Sequence, residues 1–161
     1  ALDVDGVLSD GRLFFAEDGQ ELKTFDTQDG HGIKMLQSAG IEVAIITGRT
    51  TALVQRRAAN LKIKHLLQGR EDKLVALKEL ITELGYELEE VAYVGDDWPD
   101  LPAILASGLG IAVANAHSEL RTRADHVTTL TGGRGAVREV CDLLLHAQDR
   151  YSAALAPYLA I

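Results

Sequence analysis

Asp3 and Asp5 lie two positions apart in the opening segment Ala1-Leu2-Asp3-Val4-Asp5-Gly6-Val7. On an extended chain that spacing points both carboxylates to the same side. A second acidic set, Gly95-Asp96-Asp97-Trp98-Pro99-Asp100, follows the apolar run Val91-Ala92-Tyr93-Val94. Carboxylates from the two segments repel when brought together unless a cation lies among them. A small set of oxygen donors favours Mg²⁺, which keeps several of its waters. Such a metal neutralises a phosphate group and leaves one aspartate free as a nucleophile. Thr47-Gly48-Arg49 follows another apolar run and adds a hydroxyl and a guanidinium.

These groups need a frame that gathers them. Residues 41–46, 91–94 and 108–113 are short apolar runs rich in β-branched side chains, and they are expected to form buried strands. Residues 32–39, 51–61, 71–84 and 101–106 carry apolar positions at helical period. In the third of these, Leu74, Leu77, Leu80, Ile81 and Leu84 make one stripe. The alternation predicts an α/β fold, a Rossmann-like parallel sheet with helices on both faces. In such a sheet ligands bind beyond the carboxyl ends of the strands, where all three acidic and polar segments fall. One segment departs from the alternation. Residues 12–16 and 21–25 flank an Asp18-Gly19 turn and predict a β-hairpin. A last helix is expected over 136–145, followed by a tail at 149–161, and the whole of 1–161 is read as one domain. The abrupt start on Ala1-Leu2-Asp3 suggests a first strand cut short.

In chain order, Asp3-Val4-Asp5-Gly6-Val7, Thr47-Gly48-Arg49, Lys73 and Gly95-Asp96-Asp97 with Asp100 resemble the four motifs of the haloacid dehalogenase-like phosphatase superfamily. Residues 3–10, 43–49, 91–97 and 132–144 are similar to a narrower, cap-less family, the 3-deoxy-D-manno-octulosonate 8-phosphate phosphatases. The likeness extends to about Ala147. The resemblance implies that Asp3 takes the phosphoryl group as an aspartyl phosphate. It implies that Asp5 protonates the leaving sugar alkoxide and then activates water. Mg²⁺ is implied at the Asp3 and Asp96 side chains and the Asp5 carbonyl, with Thr47 and Lys73 on the phosphoryl oxygens. Asp97 and Asp100 are expected to orient Lys73 or metal-bound water. The gaps between the motifs are too short for a cap domain. The resemblance therefore implies a homotetramer in which neighbours close the site, with the hairpin at 12–25 in the contact. Leu13, Phe14, Phe15, Leu22 and Phe25 make that hairpin apolar enough to support an interface independently.

A sugar acid phosphate carries a carboxylate besides its phosphate. Substrate binding is accordingly expected from Thr47, Gly48, Arg49 and Lys73, and from Arg57 two helical turns beyond Arg49. A related branch acting on a nine-carbon sialic-type sugar acid 9-phosphate has glutamate where Arg49 stands and lysine where Asn60 stands, which favours the eight-carbon substrate here. A non-catalytic domain of the same fold is the other alternative, but it is expected to lose an acid or the lysine, and none is lost. With 16 Lys and Arg against 24 Asp and Glu, the net charge of −8 disfavours nucleic acid as a partner. No apolar run is long enough for a membrane span. The single cysteine, Cys141, reads as a core residue and suits a reducing cytoplasm. Five histidines lack metal-ligand spacing, and Gly132-Gly133-Arg134-Gly135 lacks the pattern of a nucleotide loop. Tyr93 and Trp98 are expected to serve packing.

Overall fold

Leu2 occupies the centre of the sheet. In the computed structural model, which describes residues 1–159, its amide donates to Ala44 O at 2.9 Å and its carbonyl accepts from Ile46 N at 3.0 Å. On the other side Asp3 N donates to Val94 O at 3.1 Å, and Val94 N to Ala1 O at 3.0 Å. The chain then turns through Val4–Leu8, closed by Ser9 N on Val4 O at 2.9 Å.

The hairpin follows as β1 (Phe14–Phe15) and β2 (Glu21–Leu22), antiparallel with Phe14 opposite Leu22. Next come α1 (Thr27–Ser38), β3 (Ala44–Thr47), α2 (Ala52–Leu61), β4 (His65–Gln68) and α3 (Lys73–Leu84). The second half continues with β5 (Ala92–Gly95), α4 (Leu101–Ala106), β6 (Leu109–Ala112), α5 (Ser118–Arg121), β7 (His126–Val127), α6 (Ala136–Ala147) and α7 (Tyr151–Leu159). β3 pairs parallel with β4, and β5 with β6 and β6 with β7. Leu2 bridges β3 to β5, giving the spatial order β4-β3-Leu2-β5-β6-β7. The chain leaves this central position to opposite sides, so the carboxyl end of the Leu2 strand is the switch point where such sheets bind ligands.

The core is the apolar content of those strands and of the inward helix stripes. Ile33, Ile45, Ile46, Tyr93, Ile111 and Leu145 have no exposed surface. Burying each aliphatic side chain of this size is worth about 1.5–3 kcal/mol. The stripe expected on α3 divides: Leu77, Leu80 and Ile81 are buried, whereas Leu74 and Leu84 lie at its margin. Cys141 is buried on α6, as its apolar setting predicts.

α1 begins five residues earlier than the apolar pattern alone suggests. Asp26 caps it, accepting from Gln28 N at 2.6 Å and Asp29 N at 3.3 Å. Gly30 and Gly32 weaken the helical signal but let neighbours approach: a Cβ on Gly30 would meet Arg57 and Leu61 of α2, and one on Gly32 would stand 3.0 Å from Arg138 Cδ and Cys141 Cβ of α6. The tail forms α7 through Leu159. Its Tyr151 stacks on His146 at 3.9 Å, and Tyr158 meets His31 edge-on at 5.5 Å. Ala160 and Ile161 lie outside the described residues. Neither the 5–47 interval, with its hairpin and α1, nor the 47–73 interval, with α2 and β4, holds a cap-sized insertion.

Candidate active site

Each strand on the central side of the sheet ends in a polar group. Asp3 leaves the Leu2 strand, Thr47 closes β3, and Asp96 follows β5. Gly6 sets the spacing between the first and third. It has φ +97°, and a Cβ there would overlap the Asp96 carboxylate, so only glycine lets the turn lie against Asp96. The turn is held from behind by Gly132-Gly133. Gly133 N donates to Val7 O at 2.8 Å, and a Cβ on Gly132 would overlap the Gly6 carbonyl. The glycine-rich run is a buttress for the acidic turn.

Lys73 projects from the first turn of α3 and is 5% exposed. Its Nζ lies 2.9 Å from Asp3 Oδ1 and 2.7 Å from Asp100 Oδ1. Asp100 is fully engaged: Oδ1 also accepts from Tyr93 OH at 2.9 Å, and Oδ2 accepts from Asp96 N at 3.1 Å. Asp100 thus fixes the lysine and the loop that carries Asp96. Burial alone would lower the Lys73 ammonium, but the charges of Asp3 and Asp100 outweigh it and hold its pKa above the ordinary value. Burial pushes the Asp3 carboxyl up to about 7, with Asp100 adding to the rise and Lys73 opposing it. Burial, then the charges of Asp3 and Asp100, push Asp96 up to about 7 as well. Burial, reinforced by Asp100 and Asp3, also raises the Tyr93 hydroxyl, which stays a donor.

Asp3, Asp96 and Asp100 each offer a carboxylate oxygen within 4.8 Å of the others. One ammonium serves three carboxylates, and both its contacts go to Asp3 and Asp100. Among the described residues no protein donor reaches the Asp96 carboxylate. The all-oxygen donor set and its surplus negative charge fit a hard divalent cation, Mg²⁺, at Asp3 and Asp96.

The side chain of Asp5 goes elsewhere. The backbone turns through Val4–Leu8 directly after Asp3, and Asp5 takes different partners from Asp3. The Asp5 carboxylate pairs with Lys23 Nζ and lies 3.9 Å from Arg49 Nε. Arg49 Nη2 donates to Glu21 Oε2 at 2.6 Å. Glu21 and Lys23 come from the hairpin and were not among the expected site residues. The signal for them is alternation: in Glu21-Leu22-Lys23 the charged residues point inward and Leu22 points out, 59% exposed.

Other expected positions depart from the cluster. Arg57 donates to Asp26 O at 2.8 Å and lies over the Phe25 ring at 5.4 Å, so its guanidinium is committed to the base of α1 instead of joining Arg49. Phe25 correspondingly packs on the core and leaves the outward apolar cluster of the hairpin. Asp97 is exposed and caps Trp98 N at 2.8 Å, and its side chain makes no contact with Lys73. Gly48 lies against the Glu71 carboxylate, which would have to move to admit a Cβ there. Tyr93 does more than pack, through its bond to Asp100. Trp98 is 62% exposed and donates to His117 Nδ1 at 3.0 Å.

An acidic turn at the switch point of a parallel sheet, with a buried lysine and an acidic loop converging on it, defines the haloacid dehalogenase-like hydrolases, and residues 65–139 match the model of that family. The 3-deoxy-D-manno-octulosonate 8-phosphate phosphatase KdsC of Escherichia coli (strain K12) is 54% identical over 153 residues, covering 95% of this chain and 81% of that protein. A probable YrbI family phosphatase from Pseudomonas syringae superposes with a TM-score of 0.98 at 58% identity, over 99% of this chain and 91% of the other. The 3-deoxy-D-manno-octulosonate 8-phosphate phosphatase of Moraxella catarrhalis, solved with magnesium ion, phosphate ion and KDO, gives 0.96 at 50% identity over 98% and 90%. The chain belongs to the 3-deoxy-D-manno-octulosonate 8-phosphate phosphatase family.

Proposed function

We propose that this protein hydrolyses 3-deoxy-D-manno-octulosonate 8-phosphate to 3-deoxy-D-manno-octulosonate and phosphate, a step of lipopolysaccharide biosynthesis, with Mg²⁺ as cofactor. The observation that carries the reading is the cluster of Asp3, Lys73, Asp96 and Asp100, with Asp5 and Arg49 beside it, on a chain 54% identical to KdsC. Mg²⁺ would be held by the Asp3 and Asp96 side chains and the Asp5 carbonyl, where it would supply positive charge to the phosphoryl oxygens.

The remaining chemistry falls to the protein's own groups. An Asp3 oxygen attacks phosphorus as the bond from phosphorus to the sugar oxygen breaks, giving an aspartyl phosphate. Asp5 delivers its proton to the departing alkoxide, a poor leaving group without it. Asp5 then takes a proton from the water that attacks the aspartyl phosphate, releasing phosphate and restoring Asp3. Lys73 and the Thr47 hydroxyl bind the phosphoryl oxygens as their charge redistributes. Asp100 keeps Lys73 aimed there. Arg49, whose side chain is 38% exposed, offers the sugar carboxylate a planar cation.

Without a cap, closure of the site is assigned to other copies of this chain. The hairpin displays Phe14, Phe15 and Leu22, each at least half exposed, as the contact in a homotetramer working in the cytoplasm. A panel of sugar phosphates assayed for phosphate release with and without Mg²⁺ tests the proposal. The expected result is Mg²⁺-dependent turnover with preference for the eight-carbon sugar acid phosphate. Full activity after exhaustive chelation, or preference for a neutral sugar phosphate, overturns it.

A further inference from the structure

The hairpin places two buried charges in the site that the catalytic assignment does not use. The Lys23 side chain has no exposed surface, and its Nζ contacts Asp5 Oδ1 and stands 3.9 Å from Glu21 Oε1. Glu21 in turn accepts from Arg49 through Oε2, while its buried Oε1 has no hydrogen-bond partner. Arg49 closes the ring with Nε 3.9 Å from Asp5 Oδ2, and that Nε is also buried without a partner. Two acids and two bases thus alternate around a ring: Asp5, Lys23, Glu21, Arg49. A lysine held away from water loses side-chain freedom and hydration, and it stays there only where a carboxylate repays the cost. The carboxylate that does so is Asp5.

We infer that Lys23 is a positioning residue for Asp5. It anchors one carboxylate oxygen while Arg49 Nε stands 3.9 Å from the other, and together they fix the orientation of the carboxylate. Glu21 plays the matching part for Arg49. Asp5 lies within the turn, just before Gly6 at positive φ, and backbone geometry alone does not fix its side chain. Removing Lys23 leaves the Asp5 carboxylate free to rotate and leaves Glu21 with a single basic neighbour.

The inference rests on the phosphatase reading above, and leaving-group dependence separates the two. An alkyl phosphate needs its leaving oxygen protonated, whereas p-nitrophenyl phosphate departs as a stable phenolate and needs little help from an acid. In Lys23→Met, kcat on the sugar acid phosphate is expected to fall at least tenfold further than kcat on p-nitrophenyl phosphate. Lys23→Arg, which keeps a buried cation, should recover part of the difference. A circular-dichroism melt of each variant reports whether the fold is retained. Equal losses on both substrates overturn the positioning role and make Lys23 a structural ion partner. A loss confined to KM for the sugar substrate overturns it in favour of direct substrate binding. If the unaltered enzyme releases no phosphate from any alkyl phosphate, the phosphatase reading itself fails.

Discussion

Asp3 and Asp96 share a property with a measurable consequence. Both carboxyls are pushed up to about 7, chiefly by burial, so each holds a proton through much of the range just below neutrality. A divalent cation competes with those protons. Apparent Mg²⁺ affinity is therefore expected to weaken as pH falls from about 8 to 6, as a calorimetric titration at fixed ionic strength can show. Asp96→Asn should remove most of the affinity, and a flat profile in the native protein refutes the account. Asp3→Asn should abolish phosphate release altogether, whereas Asp5→Asn should cost ~10²–10⁴-fold and most on alkyl phosphates. Arg49→Ala should lower kcat/KM for the sugar acid phosphate far more than for a generic aryl phosphate. Comparable losses on both place Arg49 at the phosphoryl group. At this scale Asp3, Thr47, Lys73 and Asp96 were legible, because each directly follows an apolar run or opens a helix. Lys23 and Glu21 were not. Their role depends on which face of a two-residue strand turns inward, and the apolar neighbours drew attention to the other face.

The elements differ in how openly the sequence announces them. β3, β5 and β6 stand within three residues of the apolar runs, since a strand covered on both faces must be apolar throughout. β4 is a half-buried edge, and its His65-Leu66-Leu67-Gln68 carries too little of that signal to be located. The start of α1 was hidden because Gly30 and Gly32 serve packing, against α2 and α6 respectively, at the expense of helix propensity. Asp29, on the first turn of α1, is 1% exposed and accepts from Arg138 N at 2.8 Å at the start of α6. Burial pushes its carboxyl up to about 6 against the ordinary value near 3.8. A folded-state pKa above the unfolded one stabilises at low pH, and that contribution is lost as pH rises through about 6. Asp29→Asn should flatten the stability curve between about pH 4 and 6, which denaturant melts at stepped pH will reveal. An unchanged slope contradicts the assignment.

For the molecule as a whole, the apolar outer face of the hairpin has no counterpart among the described residues. Phe14 is 50% and Phe15 67% exposed, above a site with no cap. Light scattering is expected to give a tetramer, and Phe15→Asp should shift it toward smaller species with lower activity on the sugar substrate. A fully active monomer refutes the interface. The topology was readable from the alternation of runs, but assembly was not: nothing in a list of exposed aromatics states how many copies meet.

The contact between Gly132 and Gly6 has one more consequence, in time instead of space. The acidic turn at Asp3–Gly6 is synthesised before its buttress, which is encoded 126 positions after Gly6 (132 − 6). Domains fold as their chain emerges, and contacts of such separation form late. During synthesis the turn thus waits without the glycine-rich support that shapes it. It should take up its final form only once residues 132–133 have been made and docked against it.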